Sequence, residues 1–140
     1  MPTHRATADT STVRTKLEER RAALRSGRAA EAAVASDLER QGLAILATNL
    51  RLGRLELDVV ARDADTVVVV EVRHRSAGAW QTGMESIARA KAKRVRAAGE
   101  RLWRERFLRD ARVNRMRFDV AVVTFEANGE AQIEYARGVF

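Results

Sequence analysis

The sequence predicts a single α/β domain whose elements run αβββαββ, and three features predict it. A stretch of helical periodicity fills the N-terminal part and a second one follows the midpoint. Between them lie two short apolar runs, Leu55–Val60 and Val67–Arg73, whose side chains alternate as strands do. The length, 140 residues, supports one core of sheet and helices, whereas two domains would each be marginal.

In chain order, Met1–Thr12 is rich in Thr, Ala and Ser without periodicity and reads as a disordered tail, leaving residues 13–140 for the domain. Val13–Gln41 reads as helix, with an interruption expected near Ser26-Gly27 and an end at Gly42. Along its second half Gly27, Glu31, Val34, Ala35 and Leu38 share a face, which sets Glu31 among apolar neighbours. Leu43–Asn49 fits a first strand. The two acid-bearing runs follow, joined by a polar hairpin loop over Ala61–Thr66. Arg75–Gly83 reads as loop, where Trp80 is either a stacking platform for a base or a loop anchor. Met84–Phe107 reads as the second helix, and its inward stripe of Ile87, Lys91, Val95, Ala98 and Leu102 contains a lysine. Arg117–Phe125 alternates as a strand, and Asn128-Gly129 is a turn signal leading to a last strand near Gln132–Tyr135.

The acids in the central runs are the informative residues. Alternation puts Glu56 and Asp58 on one face of the first run, and Val67, Val69, Glu71 and Arg73 on one face of the second. If the runs pair as a hairpin, Asp58 and Glu71 converge. Two ionised carboxylates on a valine sheet cost several kcal/mol each without a compensating cation. A hard metal ion is one such cation; a wet sheet face, or an ion pair to Arg73, is the competing account. His74 falls on the opposite face from Glu71.

Composition narrows the choice. Lys+Arg number 26 against 19 Asp+Glu, a formal charge of +7, which suits a polyanionic partner, nucleic acid first. Without cysteine, and with only two histidines, thiolate zinc sites, disulfides and Cys nucleophiles are excluded, so any metal must be held by oxygen. No stretch approaches the apolar length of a membrane span and the first residues lack a signal-peptide core, which makes the cytoplasm the default compartment.

The thirteen-position spacing from Asp58 to Glu71, followed by Glu-x-basic, has the D…E-x-(K/R) form. Together with Gly27 and Glu31, Leu38 to Gly42, Asn49, Glu56-Leu57-Asp58-Val59-Val60, Val70-Glu71-Val72-Arg73, Gly83, Glu85, Lys91, Arg117-Phe118-Asp119-Val120 and Phe140, it resembles the YraN-like family of small bacterial proteins. These are regarded as predicted endonucleases of the PD-(D/E)XK superfamily. The resemblance implies a restriction-endonuclease-like three-layer fold, a central mixed sheet flanked by helices. It implies Asp58, Glu71 and Glu31 as metal ligands, with Arg73 at the position of the superfamily's catalytic lysine. Leu55 stands where the family usually has Gly, and Tyr135 where it often has His.

The expected activity is therefore magnesium-dependent hydrolysis of DNA phosphodiesters, manganese being a substitute, with branched or structured DNA as a candidate substrate. The alternative is a non-cleaving nucleic-acid-binding module of the same fold. Arginine neutralises charge but cannot shed a proton, so Lys91 is a second candidate for the catalytic cation, or a structural partner of Glu71, Glu31 or Asp119. Arg73, Arg75, Lys91, Lys93 and Arg94 are the cations expected to meet phosphates. A homodimer stays open. Asp119 is expected to be structural, paired with Arg117 or with a helix residue.

Overall fold

A computed structural model describes residues 15–75 and 89–139. The expected tail, the loop containing Trp80, the start of the second helix and Phe140 lie outside the described residues. The elements are α1 (Lys16–Arg40), β1 (Ala44–Leu52), β2 (Leu55–Asp63), β3 (Thr66–Arg75), α2 (Arg89–Leu102), a π-helical turn (Trp103–Phe107), β4 (Arg115–Phe125) and β5 (Ala131–Ala136). That is the expected αβββαββ order.

Helix α1 starts at a capping box: the Thr15 hydroxyl accepts from the Glu18 amide, and the Glu18 carboxylate accepts from the Thr15 amide. It ends before Gly42, whose φ of 95° suits glycine. No break occurs at Ser26-Gly27, contrary to expectation. The alanine-rich sequence on either side favours helix, and Ala30, Val34 and Leu38 bury their side chains on the sheet, which outweighs the roughly 1 kcal/mol that glycine costs.

The five strands form one mixed sheet in the order β1-β2-β3-β4-β5. β1–β2, β2–β3 and β4–β5 pair antiparallel, and β3–β4 pairs parallel, the crossover running through α2. The β2–β3 loop is shorter than predicted, because β2 continues to Asp63 and β3 begins at Thr66. β1 and β4 also extend beyond the expected limits, to Leu52 and back to Arg115.

Burial divides the sheet into two faces. Val59, Ala61, Val68, Val70, Ala121 and Val123 pack with Ala30, Val34 and Leu38 of α1. Leu57, Val60, Val67 and Val69 pack with Val95, Ala98 and Leu102 of α2. The unbroken valines of β3 follow directly: a central strand covered by a helix on each side has no wet face. The predicted inward stripe of α2 is the observed one over its described length.

One buried acid is structural. Asp119, 0% exposed, accepts from Arg117 Nε and Nη2 at 2.9 and 3.0 Å, from the Tyr135 hydroxyl at 2.5 Å and from the Gly138 amide at 2.9 Å. It thereby ties β4, β5 and the following segment together; of the two expected partners, Arg117 rather than a helix residue is the one it meets. Burial and the neighbouring Asp119 carboxylate both push the Tyr135 phenol well above its ordinary value. Asp119→Ala should lower unfolding free energy by about 3 kcal/mol, because it strands Arg117 and two further donors, while Tyr135→Phe should cost about 1 kcal/mol. Urea titrations of the two variants against the parent check both values.

Candidate functional site

The site forms where β2 and β3 part. Their ladder runs from Asp63↔Thr66 up to Val59↔Val70 and stops there. The next residue of β2, Asp58, uses its side chain instead: Oδ2 accepts the Val72 amide at 2.9 Å. On the other side, Asn49 of β1 faces Asp58 between the pairs Thr48↔Val59 and Leu50↔Leu57, with a φ of 50°. Strict alternation fails here, since Leu57 packs on the α2 side and Val59 on the α1 side. The simple parity that grouped Glu56 with Asp58 therefore does not hold across this kink.

The kink opens a cleft of about 410 Å³ between the sheet end and both helices. Glu31 from α1, Asp58 and Glu56 from β2, Glu71 from β3 and Lys91 from α2 all line it. Glu71 is 4% exposed, and its Oε1 lies 2.5 Å from Lys91 Nζ. That ion pair is the contact Oε1 makes; no hydrogen-bond partner accompanies it among the described residues. Asp58 and Glu71 stand within hydrogen-bonding reach of one another. Burial first, then the Glu71 charge, pushes the Asp58 carboxyl up to about 7, against the pull of the Val72 amide. Glu31 is also raised, mainly by burial; the Asn49 amide bonded to it pulls the other way. Its Oε2 is buried without a hydrogen-bond partner.

Asp58 and Glu71 are thus a close pair of carboxyls, with Glu31 on the facing helix. As the side chains stand, no three acids or histidines among the described residues are close enough to enclose an ion. Glu71 and Asp58 carry lone pairs suited to a hard cation, and the buried Glu31 Oε2 adds a third donor on the same cleft. By chemistry the donors fit magnesium.

The cations sort into two groups. Arg28, Arg54 and Arg94, all exposed, line the cleft beside Lys91. Arg28 sits one turn before Glu31, and Arg94 one turn after Lys91. Arg54 is carried by the β1–β2 turn, which Arg101 of α2 supports by donating from Nη1 to the Leu52 carbonyl at 3.2 Å. Gly53 in that turn has a φ of 65°, and a Cβ there would come within 2.7 Å of Arg101 Nη1. Arg73 and Lys93 do not line the cleft. Arg75 bonds Thr124 Oγ1 at 3.4 Å and pairs with Glu134 at 3.6 Å, away from it. His74 stacks at a tilt on Phe125, ring centroids 5.5 Å apart, on the far face as predicted. Sequence reasoning missed Arg28, Arg54 and Asn49. Helical spacing from Glu31 pointed to Arg28 and the Gly53-Arg54 turn to Arg54; Asn49 entered only as part of the resemblance, with no role attached.

The model of the uncharacterised protein family UPF0102 matches residues 30–123, which include Glu31, Asp58, Glu71 and Lys91. A UPF0102 protein of Sorangium cellulosum is 51% identical over 114 residues, covering 81% of this chain and 79% of its own. One from Desulforapulum autotrophicum is 39% identical over 116 residues, covering 83% and 93%. One from Pseudomonas aeruginosa is 37% identical over 125 residues, covering 89% and 98%.

The raised Asp58 carboxyl has a consequence for stability. The folded chain holds a proton that the unfolded chain, at the ordinary carboxyl value of 3.8, releases. That stabilisation is complete below about pH 4 and is lost as pH rises through about 7. In chelator, the melting temperature should therefore carry a falling contribution across this window, and Asp58→Asn should flatten it and exceed the parent at pH 8. Calorimetric scans of both proteins from pH 5 to 8 measure it.

Proposed function

The chain belongs to the uncharacterised protein family UPF0102, and from that membership and the cleft described above we propose that it is a magnesium-dependent endonuclease hydrolysing DNA phosphodiesters, branched or structured DNA being a candidate substrate. The five-stranded sheet with a helix on each face is, in this reading, a restriction-endonuclease-like fold of the PD-(D/E)XK type. One observation carries the proposal: two mutually repelling carboxyls, Asp58 and Glu71, are held at a strand fork where burial leaves acceptor capacity unused. A fold gains nothing in stability from that arrangement, so a cation is the natural complement.

Asp58 and Glu71, with Glu31 across the cleft, would hold the ion. Bound there, magnesium supplies a polarised phosphate and an acidified water. The remaining chemistry belongs to the chain. Lys91 lies against Glu71 and lines the cleft, so it can neutralise charge on the scissile phosphate and exchange a proton. Arg73, beyond the lining, is left with long-range electrostatic support. Arg28, Arg54 and Arg94 bind the flanking phosphates at the rim and offset the repulsion that four acids in the cleft exert on DNA.

The Lys91–Glu71 pair also favours a second reading, a binding module of the same fold that does not cut, because an internal ammonium already neutralises Glu71. Cleavage assays on linear, flapped and four-way-junction DNA, with magnesium or manganese against a chelator control, separate the two. Asp58→Asn and Glu71→Gln should reduce cleavage to background while DNA affinity holds or rises. Lys91→Met should slow cleavage without abolishing binding. Retained binding with no cleavage by the parent supports the non-cutting module, and equal cleavage by parent and acid variants removes the site.

Binding itself should be salt-steep and weakly base-specific. Each rim arginine that neutralises a phosphate should contribute about 0.9 to the slope of log affinity against log salt on duplex DNA. Arg54→Ala should lower that slope by about one, read from fluorescence anisotropy over a salt series.

A further inference from the structure

A second hollow lies at the opposite end of α2 from Lys91. It encloses about 490 Å³ and is walled by Trp103, Met116 and Phe118, with Arg96, Arg104 and Arg115 around its mouth. Glu100 is the one acid on its border, so its charge balance is basic. Neither Arg96 nor Arg104 forms an ion pair among the described residues, and both are exposed. Arg115 bonds Asn114 Oδ1 from Nε at 3.4 Å and lies within electrostatic reach of the Asp65 carboxylate.

The backbone is shaped around this hollow. Helix α2 changes at Leu102 into the π-helical turn Trp103–Phe107, a geometry that is rare and often found at functional positions. The turn carries Trp103 at its start, packed by one side against the α2-side core and otherwise half exposed. Gly99, one turn earlier, lets the Phe118 ring lie flush on the helix; a Cβ there would meet two ring carbons at 2.5 Å. The result is an aromatic-walled slot with guanidinium groups at its edge.

We propose that this hollow receives an unpaired base of a single-stranded nucleic acid segment, stacked on Trp103, with its flanking phosphates on Arg96, Arg104 and Arg115. The chemistry selects the ligand. A base presents a π face of any sequence to Trp103, and the adjoining phosphates complement Arg96 and Arg104, which form no ion pair among the described residues. An apolar peptide would bring no anion to the exposed Arg96 and Arg104. Duplex DNA cannot use the slot, because its bases are already stacked inside the helix. From Lys91 to Trp103 is 103 − 91 = 12 residues, about 18 Å along a helix. That is the length of about five nucleotides in a duplex strand, so a single-stranded end seated here reaches the cleft without strain.

The test measures binding alone, in chelator, and so stands apart from whether the cleft cleaves. Full-length protein carrying Trp80→Phe keeps Trp103 as its sole tryptophan, and a twelve-nucleotide oligothymidylate or oligouridylate should quench its emission saturably. Trp103→Leu keeps an apolar side chain on the core and should weaken binding of both oligonucleotides about tenfold, with a smaller effect on a duplex of equal length. The double variant Arg96→Glu with Arg104→Glu, both on the surface, should produce a comparable selective loss without lowering the melting temperature. Loss confined to the DNA or the RNA strand also supports the slot and names its source. Unchanged single-strand affinity in both variants, or equal losses on single-stranded and duplex ligands, overturns it.

Discussion

The hydrogen bond from the Val72 amide to the Asp58 carboxylate is the constraint on which the rest of the site depends. In an unbroken hairpin that amide would face a backbone carbonyl of β2. Here the ladder ends at Val59↔Val70 and a side chain takes over. The exchange leaves a main-chain donor satisfied while allowing the two strands to part, and the parted strands make room for a cleft at the sheet end. It also anchors Asp58 by one oxygen next to Glu71, on the lining of the cleft.

The surrounding structure holds this fork rigidly. β3 is buried on both faces, with Val67 and Val69 under α2 and Val68 and Val70 under α1, so Glu71 projects from the stiffest strand in the sheet. Lys91 projects from the helix that covers that face, in the same row as Val95, Ala98 and Leu102. Arg101, further along α2, fixes the β1–β2 turn that carries Arg54. One helix thus positions a cation against the buried acid, braces the turn on the cleft's far wall and, through its π-helical end, shapes a second basic hollow.

Much of this was legible in the sequence because it follows from periodicity. The inward phase of Lys91, the opposite facing of His74, the Asp119–Arg117 pair and the element order all come from counting residues on known periods. What escaped was local departure from period. Gly27 suggested a break that packing of its neighbours prevents. The kink at Asp58 breaks alternation, and no residue type announces it; Asn49 tolerates a left-handed backbone but does not require one. The π-helical turn at Trp103 is likewise invisible, since its residues would fit an α-helix equally well. Arg73 was grouped with Glu71 by its phase along β3 and by the resemblance; it is not on the lining of the cleft, whose arginines come from α1, the β1–β2 turn and α2.

Two buried acids in this sheet, on neighbouring strands, separate structural from functional use. Asp119 is 0% exposed and accepts from a guanidinium, a phenol and a main-chain amide, so its charge is fully accommodated by the fold. Glu71 is 4% exposed and has an ammonium at one oxygen, no hydrogen bond to that oxygen, and another carboxyl beside it. If selection acted only on stability, the two sites should have converged on the same solution, since an unsatisfied buried acceptor costs about 1–3 kcal/mol and a donor such as the one at Tyr135 is within ordinary sequence reach. The chain satisfies one acid and leaves the other short. Burial alone is therefore a poor marker of function in this fold; a buried acid oxygen without a hydrogen bond, on a cleft with a basic rim, is the better one, and among the described acids Glu31 and Glu71 meet it, with Asp58 beside them.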